Sequence, residues 1–178
     1  MADERKRRDS LGGTLTTLIL EVFRLNGRLI GAGDRLVGSL GLTSARWQVL
    51  GALAMSPSPQ TVADVARSMG LTRQSVQRIA NELVQKGLLE RTENPRHVRA
   101  PLIRLSERGT RAYEAATTRQ VPWADQLAQS IPIGKIETAV SVLRELTDRL
   151  QGVNHTRKGE RHDIRRNGSL GTFHPATR

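Results

Sequence analysis

In the stretch TRQSVQRIANELVQK, residues 72–86, Val76, Ile79, Ala80 and Leu83 recur at helical spacing and give a helix one apolar face. Its opposite face carries Arg73, Gln74, Gln77, Arg78 and Asn81. These side chains suit flat partners met edge-on: an arginine can grip a guanine edge with two donors, and a glutamine or asparagine amide can pair with an adenine edge. Thr72 and Ser75 stand at the helix N-terminus, where hydroxyls and free amides suit a phosphate oxygen and equally suit a cap. Further on, Arg96 and Arg99 fall in ENPRHVR, a turn too short to hold a core, which leaves solvent or a polyanion as their surroundings. A minor groove or its phosphates would accept them. Polar residues also fill ordinary solvated helix faces, so their place in the chain matters more than their type.

The charge along the chain favours the polyanion. Of 178 residues, 28 are Lys or Arg and 17 are Asp or Glu, a formal net charge of +11. Residues 67–111 hold ten basic and four acidic side chains, while the rest of 11–151 holds eight of each. The excess is therefore local and coincides with the residues above, which puts nucleic acid ahead of an anionic membrane. The absence of cysteine excludes disulfides, thiolate catalysis and Cys-ligated zinc. His155, His162 and His174 lie near the C-terminus and His97 in the turn, with no spacing that fits a metal, so no metal is expected. No carboxylate pair, nucleophile motif or Gly-rich phosphate loop stands out, so neither catalysis nor a cofactor is expected. Threonines and glycines dilute LGGTLTTLIL, and no apolar run reaches the roughly 18–20 residues of a spanning helix, so the expectation is a cytoplasmic protein without a membrane partner.

The elements that must hold these residues follow from periodicity and punctuation. Leu11, Leu15, Leu18, Val22, Leu25 and Leu29, widened by Ile19 and Ile30, step by four and three and predict a long amphipathic helix, frayed or bent near Gly31 and Gly33. Thr43 or Ser44 caps a second helix containing Trp47, Val49, Leu50, Leu53 and Ala54. Trp47, Phe23 and Tyr113 are read as core aromatics. Thr61 with Asp64 forms a capping-box pair for a third helix, Gly70 ends it, Thr72 caps the fourth and Gly87 stops it. Ala66 is small enough to let these two helices approach as a helix-turn-helix. Residues 88–92 and 100–105 read as two strands around the basic turn, the second confined to an edge by Pro101. Ser106 caps a fifth helix, broken or bent near Pro122. Pro132 opens a sixth, with Ile136, Val140, Leu143, Leu146 and Leu150 in step. Residues 152–178 carry six basic and two acidic groups without periodicity and read as a disordered tail. The fold class is mainly α with a small β wing.

In this order, the segments LTSARWQVLGAL, TVADVARSMGLTRQSVQRIANELVQKGLLER and LIRLSERG resemble the MarR family of winged-helix transcriptional regulators over about residues 11–151. The resemblance implies a winged helix-turn-helix DNA-binding lobe, about 43–105, and a helical dimerisation stem from about 11–40 and 106–151. A charged arm, 1–10, precedes this MarR-like domain and the basic tail follows it. It further implies a homodimer on double-stranded DNA, with a pseudo-palindromic operator, a repressor's role and release by a small amphipathic anionic effector. The wing departs from the family's usual Asp-x-Arg-Asp: Arg96 and Arg99 match, but both acidic positions are absent. The competing expectation is a winged-helix protein-interaction module that binds RNA or anionic lipid non-specifically through its tail.

Overall fold

The computed structural model describes the backbone of residues 10–95 and 97–166, and side chains as far as residue 151. The chain divides into two compact units, residues 1–127 and 128–178. The first contains α1 (Leu11–Val37), a single 3-10 turn (Gly38–Leu40), α2 (Ser44–Ala54), β1 (Gln60–Thr61), α3 (Val62–Ser68), α4 (Arg73–Gln85), β2 (Leu89–Thr92), β3 (Leu102–Leu105) and nearly all of α5 (Glu107–Ala128). The second holds α6 (Ile133–Arg166).

Local chemistry sets most boundaries of the first unit. The Thr43 hydroxyl accepts from the Arg46 N–H at 3.3 Å and begins α2. Thr61 accepts from the Asp64 N–H at 3.2 Å while Asp64 accepts from the Thr61 N–H at 3.3 Å, the reciprocal capping box expected for α3. Thr72 accepts from the Ser75 N–H at 3.1 Å and starts α4, and Gly87, at φ 68°, turns the chain out of it. Ser106 joins the two ends of the winged segment: its hydroxyl donates to the Gly87 carbonyl at 2.7 Å and accepts from the Gly109 N–H at 2.9 Å.

Val37, Val49, Leu50, Val65, Val76, Leu83 and Ile103 are fully buried, so α1, α2, α3, α4 and β3 share one core. Burying side chains of this size contributes about 1.5–3 kcal/mol each, and this is what fixes the polar face of α4 outward. The sheet is antiparallel in the order β1-β3-β2, with Gln60 opposite Ile103 and Leu89 opposite Leu105. β3 is thus central, against the expectation of an edge. Pro101 lies one residue before the strand, where its missing N–H removes no ladder bond.

Two expected helix interruptions and one expected core residue are corrected. α1 passes Gly31 and Gly33 without interruption, because Gly33 serves a close approach: a Cβ there would stand 2.4 Å from Ser44 Oγ. That hydroxyl donates to the Ile30 carbonyl at 2.7 Å, docking the start of α2 on α1. α5 continues through Pro122, whose missing N–H offers the Thr118 carbonyl one turn back no donor; Thr118 is exposed. Phe23 is 68% exposed, not core.

In the second unit, the Lys135 N–H donates to the Pro132 carbonyl at 2.9 Å as α6 opens. The helix runs beyond Gln151, where the sequence reading ends it, and no proline interrupts residues 133–166. Residues 1–9, 96 and 167–178 lie outside the described residues, and with them Arg96, most of the N-terminal arm and the end of the tail. No helix among the described residues is long and apolar enough to cross a membrane.

Candidate functional site

The short α3, the turn at Gly70 and α4 place six of the residues singled out from sequence around one surface depression: Arg73, Gln74, Ser75, Gln77, Arg78 and Asn81. Thr72 stands at its end as the cap of α4, its hydroxyl 2.8 Å from that of Ser75. Arg73 and Gln74 make no side-chain hydrogen bond among the described residues and extend into solvent. Arg99 is exposed in the turn between β2 and β3, as is His97.

The remaining members of this face are already engaged. Gln77 donates to Asn81 Oδ1 at 3.0 Å, and Arg91 of β2 donates to the same oxygen at 2.6 Å. With its carbonyl doubly occupied, the Asn81 amide is left with its N–H donors to offer. Arg78 donates to Glu82 Oε1 at 2.7 Å. The other oxygen, Oε2, accepts from Arg46 Nε at 3.2 Å and Nη2 at 2.9 Å, so α2 and α4 are tied by one carboxylate. The Arg46 hydrogen bonds, joined by the Arg78 charge, hold the Glu82 carboxyl below its ordinary range against a smaller opposing effect of burial. Arg46, Glu82 and Arg91 were not among the residues expected from sequence. Only the spacing of four between Arg78 and Glu82 signalled any part of this network.

A separate cavity of about 780 Å³ opens among α1, α2, β1, α3 and α5, within the size range of small-molecule sites. Trp47, Tyr113 and Trp123 supply aromatic walls, and Asn26, Gln48 and Gln120 supply amides. Trp47 and Tyr113, expected in the core, are half-buried: each packs one side against the core and turns the other to the cavity. Among the described residues no Lys, Arg or His lines it, so the expected anionic effector would meet no countercharge from these walls.

Residues 40–100 match the sequence pattern of the MarR family. An uncharacterized protein of Mycobacterium tuberculosis is 37% identical over 132 residues, 74% of this chain and 91% of its own. A MarR-family transcriptional regulator from Rhodococcus sp. RHA1 shares the fold with a TM-score of 0.66 at 24% identity, over 78% of this chain and 95% of that one. CouR from Rhodococcus jostii RHA1, solved with p-coumaroyl-CoA, gives a TM-score of 0.63 at 25% identity, over 78% and 92% of the two chains. The repressor CouR on a 23-mer DNA duplex gives 0.64 at 21% identity, over 78% and 93%. With a helix-turn-helix, a three-stranded sheet and flanking helices, the chain belongs to the MarR family of winged-helix transcription regulators.

Proposed function

We propose that the protein is a homodimeric transcriptional repressor that reads a pseudo-palindromic operator with α4 and leaves it when a small molecule binds. The observation that carries this reading is the outward face of α4, the second helix of the helix-turn-helix, with its arginines and amides around one depression in the segment that holds the net positive charge of residues 11–151. In this reading Arg73, Gln74, Gln77, Arg78 and Asn81 meet base edges in the major groove, and Thr72 and Ser75 meet phosphate. Arg96 and Arg99 serve the minor groove or its flanking phosphates.

Dimerisation draws support from apolar side chains left in solvent on α1, where Leu20, Phe23 and Leu25 are 51%, 68% and 56% exposed, and on α6, where Ile133 and Leu150 are exposed. Surfaces of this kind mark contacts with another chain. Effector release draws support from the 780 Å³ cavity and from CouR, which was solved both with an acyl-CoA and on DNA. Such a regulator works in the cytoplasm, where the DNA is.

Selection of bound fragments from random duplex DNA tests the whole reading. Two half-sites with centres about 10 base pairs apart, or a multiple of that, are expected, and binding should withstand excess competitor DNA. Loss of all binding under competitor would favour a protein-interaction module with a non-specific tail. Sedimentation as a monomer at micromolar concentration would remove the dimer.

A further inference from the structure

The cavity has a chemical character that its neighbourhood lacks. Among the described residues eighteen line it and none is Lys, Arg, His, Asp or Glu, in a chain whose net charge is +11. Of the arginines adjacent in sequence to its walls, Arg28, beside Leu29, is exposed and does not line it, and Arg67, beside Ser68, donates to Asp64 Oδ1 at 2.9 Å. Arg46, beside Trp47, is held by Glu82. Arg119, beside Gln120, donates to the Leu36 carbonyl at 3.2 Å and to the Ser39 hydroxyl. The three lining serine hydroxyls are also spent, Ser44 on the Ile30 carbonyl at 2.7 Å, Ser56 on the Ser58 carbonyl at 2.9 Å and Ser68 on the Val65 carbonyl at 3.0 Å.

What remains for a ligand is neutral. The Asn26, Gln48 and Gln120 amides make no side-chain hydrogen bond among the described residues, and each offers both a donor and an acceptor. Trp47, Tyr113 and Trp123 offer ring faces and edges. A carboxylate entering this space gives up hydration without gaining a cation, whereas an amide, carbonyl or hydroxyl exchanges water for side-chain amides at little loss.

We infer that the effector is an uncharged aromatic compound bearing amide, carbonyl or hydroxyl groups, and that the cavity discriminates against the matching carboxylate. The inference rests on the reading of this cavity as an effector site. It names the ligand's charge and the residues that select it.

Matched pairs differing only in carboxamide against carboxylate, built on benzoic, 4-hydroxycinnamic and 2-naphthoic acid, can be titrated calorimetrically into the full-length protein at neutral pH. The chain's two tryptophans both line the cavity, so a change in intrinsic fluorescence locates the binding. The amide of at least one pair should bind about tenfold or more tightly than its acid. Gln48→Arg, shown to retain the wild-type circular dichroism and DNA affinity, should reverse the order. Equal or tighter binding of the acids overturns the inference and leaves the effector site standing. If no member of either series binds while DNA binding is intact, the effector reading fails and the inference goes with it. If Gln48→Arg strengthens neither acid, the amide walls do not set the selection and the inference is likewise overturned.

Discussion

Arg78 donates to Glu82 Oε1 at 2.7 Å, one helical turn along α4. The arginine at the centre of the outward face is therefore already bonded before any ligand arrives. With Arg78 70% exposed, the pair is a surface salt bridge and contributes little, so exchange of the carboxylate for an acceptor in a DNA groove costs little. Glu82 stays in place through Arg46 when Arg78 leaves.

Arg78 and Arg99 should separate specificity from affinity. Arg78→Ala should remove a base contact worth about 1–3 kcal/mol and relax preference at one symmetric pair of operator positions. Arg99→Ala, in the turn of the wing, should weaken binding to all sequences alike and lower the salt dependence by roughly one ion. A complete set of single-base operator changes, titrated with both variants, distinguishes these patterns. A uniform loss for Arg78→Ala with a position-specific loss for Arg99→Ala would reverse the assignment.

Arg91 should act through Asn81. Its guanidinium and the Gln77 amide both occupy Asn81 Oδ1, which leaves the Asn81 N–H donors for an acceptor on a base. Arg91→Ala should then broaden base preference at the Asn81 position by about 1 kcal/mol, with a smaller effect at the Arg78 position. If Arg91→Ala and Asn81→Ala add independently in a double-mutant cycle, the positioning role is wrong.

Acid should reveal Glu82. A carboxyl whose folded pKa is depressed contributes stability that is complete above its unfolded value, ordinarily near 4.5, and is lost as pH falls through the lower folded value. The melting temperature should hold from neutral pH to that region and decline below it. Asp64, lowered chiefly by the Thr61 hydroxyl, adds to the same decline. Glu82→Gln should melt lower at neutral pH and show a shallower acid limb; an unchanged limb would mean that the link between α2 and α4 contributes nothing.

Two glycines should differ in their tolerance of a methyl group. A Cβ at Gly33 meets the Ser44 hydroxyl, which can rotate away at the loss of its bond to Ile30, so Gly33→Ala should cost about 1–3 kcal/mol. A Cβ at Gly109 would lie 2.0 Å from the Leu88 carbonyl oxygen, which is backbone and cannot swing aside. Gly109→Ala should be the more damaging change in a denaturant titration, and equal midpoints would contradict this.

The helix-turn-helix was legible in the sequence because its signals are local. Thr61 with Asp64, Thr72 with Ser75, and the glycines at 70 and 87 act within four residues of the ends that they set. β1 was missed because two residues cannot show a period, and its pairing with β3 is written nowhere near it. Arg46 and Glu82, 36 positions apart, share no pattern along the chain. Trp47 and Phe23 show the limit of helical spacing, which tells which face a residue occupies and not what covers that face. One closes a cavity and the other stands in solvent. Composition foretold a basic surface, but it gave no hint that a charge-free cavity lies in the same unit.

The pairing of Gln60 with Ile103 also bears on how the protein is made. These residues are roughly 40 positions apart, and closing a loop of that length costs entropy before any contact offsets it. α3, α4 and β2 all lie inside the loop, so the helix proposed to read DNA is enclosed by a contact between residues distant in the chain. The lobe should therefore behave as one cooperative folding unit, and the amides of α4 and of β3 should exchange with solvent at the same opening free energy. A lobe that opens as one unit would present the whole outward face of α4 or none of it, leaving no half-folded form to occupy DNA.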